Sequence, residues 1–162
     1  MQDFVHLHVH TQYSLLDGQA SVARLVDKAM QNGMKGIAVT DHGNMFGIKE
    51  FTNYVNKKNS GPKGEVKDLK KRIAGIEAGT IECEDKEAEI AACKAKIVEA
   101  ENKLFKPIIG CEMYVARRTM DLKEGKPDQS GYHLIVLAKN ETGYHNLIKL
   151  VSHAWTRGYY MR

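Results

Sequence analysis

The chain has 162 residues, of which 43% are hydrophobic and 27% charged, and its formal net charge at pH 7 is +4. This length suits one globular domain or part of one, and the mild basic excess is compatible with a nucleic-acid partner without being diagnostic of it. The three cysteines, Cys83, Cys93 and Cys111, lack Cys-x-x-Cys spacing, so neither a disulfide framework nor a thiolate zinc site is expected. We identify no signal-peptide pattern and no apolar run of membrane-spanning length, and we expect a cytoplasmic protein.

The first motif is His6-Leu7-His8-Val9-His10. Alternate side chains of an extended strand point to the same face, so the motif predicts three imidazoles in a row, with Leu7 and Val9 facing the core. Buried imidazoles need hydrogen-bond partners, and a metal ion satisfies one nitrogen of each ring. An exposed, histidine-rich strand end is the alternative. We favour the metal interpretation because later segments supply further ligands.

Helix and strand patterns alternate after this motif. Ser21 is a natural N-cap, and the apolar stripe at residues 22–30 predicts an amphipathic helix that ends at Asn32-Gly33. The short apolar run at residues 36–40 predicts a buried parallel strand, and residues 47–56 predict a second helix.

The pattern changes between residues 57 and 106. Apolar residues recur at intervals of three and four from 66 to 76 and again from 90 to 104, which predicts two helices. We interpret them as an antiparallel helical hairpin inserted into the main domain and projecting from it. The stretch 57–72 holds seven basic and two acidic residues. It could face phosphate, but a solvated helical face is the simpler interpretation.

The last third of the chain returns to strand and helix patterns. Residues 107–115 and 133–138 predict a third and a fourth strand, and Asn140 is expected to cap a final helix. The order of elements is that of an α/β protein with four βα units.

Candidate ligands fall at the ends of the predicted strands. In right-handed βα units the C-terminal ends of parallel strands meet at one edge. His8 and His10 close the first strand, and Asp41 and His42 follow the second. Asp17 lies in the loop after the first strand and can fold back over the same edge.

Two further candidates lie in the later strands. Glu112 stands inside the apolar third strand, where an acid is costly unless it is paired or bound to a metal. His133 begins the fourth strand, at the wrong end for the parallel rule, so the residues alone leave it undecided. Mixed histidine and carboxylate ligation favours zinc, manganese or iron. A glutamate able to bridge two ions suits a site with several metals, whose usual chemistry is phosphoester hydrolysis.

Four segments, in order and with their flanks, carry a resemblance to a known family. They are FVHLHVHTQYSLLDG at 4–18, AVTDHGNMFG at 38–47, KPIIGCEMYVA at 106–116 and YHLIVLAKNETGYHNLIKLVS at 132–152. These segments resemble the N-terminal PHP (polymerase and histidinol phosphatase) domain of the bacterial DNA polymerase III alpha subunit. The resemblance covers nearly all of the chain outside the insert. It implies a distorted βα barrel, which in many members holds a trinuclear metal centre.

The resemblance also implies which residues bind metal. The implied ligands are His8, His10, Asp17, His42, Glu112 and His133. It thereby favours His133 as a ligand, which the strand argument left undecided. His6 and Asp41 are expected to support the ligands rather than to bind an ion. No catalytic residue is separable from the ligand set.

The implied parent protein is a DNA-directed DNA polymerase, a nucleotidyltransferase of DNA replication. This domain would then carry phosphoesterase or 3′→5′ exonuclease chemistry. Its expected partners are DNA and other subunits of the holoenzyme, including the proofreading subunit, and no membrane. A non-catalytic scaffold that docks the polymerase and proofreading subunits is the alternative. A stand-alone phosphatase is disfavoured by the flanks GNMFG and AKNETGYHNL.

The resemblance also predicts that the domain is truncated. The family's late Asp-x-His pair would lie beyond Arg162, and four βα units are in view rather than about seven.

Overall fold

The computed structural model of the chain describes residues 4–15 and 17–160. The described residues form a mixed α/β protein, as predicted. The α-helices are α1 (Val22–Gln31), α2 (Ile48–Lys58), α3 (Ser60–Glu77), α4 (Lys86–Asn102) and α5 (Glu141–His153). The strands are β1 (Gly36–Val39), β2 (Lys106–Val115) and β3 (Tyr132–Leu137), and short turns of 3-10 and π-helix lie at Lys126–Asp128 and Ala154–Gly158.

The three strands form one sheet in the order β1-β2-β3. β1 runs parallel to β2, with Gly36 opposite Lys106, whereas β2 and β3 are antiparallel, with Tyr114 opposite His133. The prediction of a further parallel βα unit at β3 is therefore wrong. A parallel return needs a crossover, usually an α-helix, and the segment between β2 and β3 contains only the 3-10 turn. The βα-barrel interpretation remains a prediction.

The histidine motif is not the regular first strand that its alternation predicted. It is an extended segment beside β1, in which His6 and Val9 accept backbone hydrogen bonds from Ala38 and Thr40 at 2.8 and 2.9 Å. The Val9 N–H donates to the Thr40 hydroxyl rather than to a backbone carbonyl, which interrupts the ladder. Leu7 is 51% exposed, so its predicted core position is wrong.

The first of two compact units takes in the described residues up to 54 and from 106 onward. β1 is buried along its whole length, and α1 contributes Val22, Val26 and Ala29 to the core. Each such aliphatic side chain larger than alanine stabilises the fold by about 1.5–3 kcal/mol on burial. The predicted N-caps are confirmed, because Ser21 accepts from the Arg24 N–H and Asn140 from the Gly143 N–H.

The second compact unit comprises residues 55–105. It contains α3 and α4, where the sequence pattern predicted two helices, and the two pack on each other. Ile76, Cys93 and Ala100 are buried. The buried Asn59 side chain donates to the Phe105 carbonyl at 2.8 Å and accepts from the Phe105 N–H at 2.9 Å. This pair of hydrogen bonds ties the two ends of the unit together. In the described part of the chain, no helix is both long and apolar enough to cross a bilayer.

Candidate metal centre

His8 and His10 reach the centre from the extended segment beside β1. Their Nε2 atoms lie 2.9 Å apart, and both lie close to the Oε2 atom of Glu112, at 2.9 and 2.7 Å. The motif thus directs two of its three rings to the cluster, whereas three imidazoles in a row were predicted. His6 is exposed and packs its ring edge-on against Phe4, away from these donor atoms.

His42 lies in the turn directly after β1, and the backbone places it beside Glu112. Glu112 donates its N–H to the Asp41 carbonyl, and Gly43 donates its N–H to the Glu112 carbonyl. The His42 Nε2 atom lies 3.1 Å from the Asp17 Oδ2 atom, and that oxygen lies 2.5 Å from the His10 Nδ1 atom. Asp17 thus folds back from its loop to the candidate ligands His10 and His42, as the sequence predicted.

Glu112 occupies the middle of the cluster. Its side chain projects from β2 and the residue is only 4% exposed. Oε2 faces the rings of His8, His10 and His42, at 2.9, 2.7 and 3.7 Å. Oε1 lies 2.5 Å from the Nδ1 atom of His133. The two oxygens of one carboxylate therefore face nitrogen donors on different sides.

The antiparallel pairing of β3 explains why His133 can join this edge. The start of an antiparallel strand lies beside the end of its neighbour, whereas the start of a parallel strand would lie at the opposite end. His133 stands opposite Tyr114, two residues beyond Glu112. The structure therefore brings all six sequence-predicted ligand candidates together.

The electrostatics of the centre keep its carboxylates ionised. Burial raises the pKa of Glu112, but the hydrogen bond with His10 and the charges of His42 and His8 outweigh it, so the pKa is lowered overall. The pKa of Asp17 is also lowered, because hydrogen bonds with Ser14 and His10 outweigh its desolvation. Burial raises the pKa of the Cys111 thiol to about 12, which makes it a poor ligand near neutral pH.

The donor atoms fit a site for divalent ions. They form three groups, each with atoms within 4.8 Å of one another: His8-His10-Glu112, His10-Asp17-His42 and His42-Glu112-His133. Ligands about 2.0–2.1 Å from a tetrahedral ion lie roughly 3.3 Å apart. Neighbouring donors here lie 2.5–3.7 Å apart. The nitrogen and carboxylate donors suit zinc, manganese and iron better than metals that prefer thiolate.

Comparison with known proteins gives the family of the chain. The family model described as "PHP domain" matches residues 6–162. The chain belongs to the PHP domain family. Similar proteins include the DNA polymerase III subunit alpha of Treponema pallidum, at 39% identity over 160 residues, and that of Borreliella burgdorferi, at 40% over 162. The Aquifex aeolicus protein of the same description is 32% identical over 167 residues.

These alignments include 98–99% of the chain but only about a tenth of each relative. The PHP domain is thus the part of those long proteins to which this chain corresponds.

Asp41 connects two loops that carry candidate ligands in this PHP domain. It is 1% exposed, and its carboxylate accepts hydrogen bonds from the Thr11 N–H at 2.5 Å and the Thr11 hydroxyl at 2.8 Å. Thr11 follows His10, and Asp41 precedes His42. The contact therefore joins the two loops that carry candidate ligands, rather than orienting the His42 ring directly.

Two residues at the centre were missed by sequence reasoning. The Tyr114 hydroxyl lies 3.1 Å from the His42 Nδ1 atom, and its ring stacks on His42 with centroids 5.8 Å apart. The two-residue period of a strand could have placed Tyr114 on the same face as Glu112. Trp155 donates to the Gly43 carbonyl at 2.7 Å. No local sequence signal indicates this second contact.

We expect Asp41→Ala to lower the free energy of unfolding by about 1.5–3 kcal/mol, because two buried hydrogen bonds to a charged group are lost. Asp41→Asn keeps the acceptor for the Thr11 N–H and should cost much less. Urea unfolding in the presence of a chelator compares the two variants with wild type. Equal stability of Asp41→Ala and wild type would contradict this role.

Burial raises the pKa of Asp41 above its usual 3.8. Its proton is therefore bound more tightly in the folded than in the unfolded state. Relative to Asp41→Asn, wild type should lose stability as pH rises from 3.8 through the higher folded value.

Proposed function

We propose that this PHP domain binds more than one divalent ion and hydrolyses phosphoesters, with the 3′ end of a DNA strand as its substrate, which it would degrade in the 3′→5′ direction. Zinc, manganese and iron are the candidate ions. The observation that supports this most strongly is the position of Glu112. Its buried carboxylate faces nitrogen donors through both oxygens, and it belongs to two of the three donor groups.

We also propose a cellular context. The named relatives are DNA polymerase III alpha subunits, so the domain is expected to form part of such a subunit, a DNA-directed DNA polymerase of the cytoplasmic replication machinery. Its partners would be DNA and other holoenzyme subunits, including the proofreading subunit. A closed βα barrel would complete the fold around the centre.

The residues at the centre would have different roles in ion binding and catalysis. The six ligand candidates would hold the ions, and these supply Lewis acidity to a phosphoryl group when bound. Glu112 and Asp17 contribute negative charge that offsets the cations. Tyr114 restrains the His42 ring through its hydroxyl and its stacked face. Asp41 keeps the two ligand loops in register through Thr11.

The test is degradation of single-stranded DNA that carries a label near its 5′ end, assayed with manganese or zinc in the polymerase subunit that contains this domain. Wild type should shorten the strand from its 3′ end. Glu112→Gln and His8→Ala should lower the rate at least 100-fold without changing DNA synthesis, since the loss of even a supporting residue at metal sites costs 10–100-fold.

His145→Ala is the matched control, because it removes an exposed imidazole of α5 that belongs to none of the donor groups. Equal degradation by wild type and Glu112→Gln would indicate a contaminating nuclease. A metal-loaded wild type that degrades no strand would overturn the catalytic proposal and favour a scaffold that docks other subunits.

We further propose that residues 57–106 are an insertion in the PHP domain. All six ligand candidates lie in the first compact unit. The Asn59–Phe105 hydrogen bonds bring the two ends of the second unit together, so the residues between them can be replaced by a short linker. Replacing residues 61–103 by a short glycine-containing linker is expected to leave metal affinity unchanged, as measured by calorimetry. A variant that fails to fold, judged by circular dichroism, would show that the helices belong to the core.

A further inference from the structure

Trp155 connects the end of α5 to the turn that carries His42. It is the single tryptophan of the chain and lies in the π-helical turn Ala154–Gly158. Its indole N–H donates to the carbonyl of Gly43 at 2.7 Å, across 112 residues of sequence. Gly43 directly follows His42, so this bond acts on the backbone beside a candidate ligand.

The other groups of this turn are also held in place. The Gly43 N–H donates to the Glu112 carbonyl at 2.9 Å, and the His42 N–H donates to the Ser14 hydroxyl at 3.2 Å. Gly43 has φ +59°, and a Cβ atom there would lie 3.2 Å from the Tyr114 ring. The Gly43 carbonyl accepts the hydrogen bond from the indole N–H of Trp155. Both hydrogen-bonding groups of the Gly43 backbone are thus occupied, and the His42 carbonyl accepts from the Asn44 side chain at 3.0 Å.

Simple packing is the alternative explanation for Trp155. Its ring does stack on Tyr159, with centroids 5.9 Å apart and planes 12° apart. Yet Trp155 is 52% exposed, so burial explains its position only in part. The π-helical turn that carries it is a rare conformation that is frequently found at functional sites. Both observations favour the hydrogen bond from the indole N–H, rather than packing of the ring alone, as the explanation for the position of Trp155.

We propose that Trp155 is a positioning residue of the metal centre, whose N–H holds the Gly43 carbonyl and thereby sets the His42 ring for ion binding. This inference rests on the proposed metal-binding function. Partners that hydrogen-bond a metal ligand directly contribute 10–100-fold in metal affinity, and because Trp155 acts one residue further out, through the Gly43 backbone, we expect it to contribute about tenfold. The two donor groups that contain His42 should depend on Trp155, whereas the group of His8, His10 and Glu112 should not.

The first test is titration of the 162-residue chain with Co²⁺, followed by its visible absorption and by equilibrium dialysis. Trp155→Phe removes the N–H and keeps an aromatic ring, and it should weaken ion binding at the His42-containing groups by about tenfold, the lower end of the range for direct partners of ligands. Trp155→Ala should weaken binding to the same extent. Tyr159→Leu is the matched control, since it removes the stacked ring but leaves the Gly43 bond, and it should retain wild-type affinity.

The second test uses Trp155 itself as the reporter. Titration with Zn²⁺ should change the fluorescence of wild type. His42→Ala should abolish this change, and His8→Ala should keep it, because His8 is absent from the groups that contain His42.

The outcomes separate this inference from the function on which it rests. A folded wild type that binds no Co²⁺ or Zn²⁺ would overturn the proposed function. Wild-type ion binding with identical affinity and spectrum in Trp155→Phe would overturn the positioning role alone. The same loss of affinity in Tyr159→Leu as in Trp155→Phe would also overturn it, because general disruption at the helix end would then explain the effect.

Discussion

Glu112→Gln is expected to abolish ion binding at two of the three donor groups and to lower the overall affinity for divalent ions at least 100-fold. The glutamine has nearly the same shape but lacks the negative charge, and its amide nitrogen cannot act as a ligand. Glu112 is the buried carboxylate on which His8, His10 and His133 converge. Isothermal titration calorimetry with Mn²⁺ and Zn²⁺ measures the change, and circular dichroism verifies the fold.

The same substitution should alter the dependence of stability on pH in the absence of metal. The folded-state pKa of Glu112 lies below its usual value of 4.5, so the ionised carboxylate stabilises the fold above pH 4.5. That contribution is lost as pH falls through the folded value. Glu112→Gln should lack it. Unchanged ion affinity in a well-folded Glu112→Gln variant would contradict the central position of this residue.

Substitution of the histidines should remove bound ions in a graded manner. His10 and His42 each belong to two donor groups, whereas His8 and His133 each belong to one. His10→Ala and His42→Ala should therefore lose more bound metal per chain than His8→Ala and His133→Ala. Elemental analysis after equilibrium dialysis measures the number of ions per chain.

The control for this series is His145→Ala, which should bind as many ions as wild type. Equal losses from all four ligand substitutions would mean that the groups form one cooperative site. No loss from His10→Ala would remove that residue from the ligand set.

Features that depend on neighbours in sequence could be predicted. The helix α1 follows from its apolar period and from Ser21, and α5 follows from the cap at Asn140. β1 follows from a short apolar run. Glu112 was identifiable as a candidate ligand because a buried acid inside a strand needs a cation or a hydrogen-bond partner.

Features that depend on pairing across the chain could not be predicted. The reversal of β3 is decided by a connection without a helical crossover, and the apolar run of residues 133–138 carries no sign of strand direction. The exposure of Leu7 depends on what covers the edge beside β1. The Trp155–Gly43 bond joins residues 112 positions apart, and no period or spacing encodes such a contact.

Anomalous X-ray diffraction from crystals grown with Mn²⁺ or Zn²⁺ tests the central claim most directly. We predict anomalous peaks among the three donor groups, with Glu112 adjacent to more than one of them, at bond lengths of about 2.0–2.2 Å. A saturated crystal whose peaks lie away from these six side chains, or that shows no peak there, would contradict the assignment of this site as the metal centre.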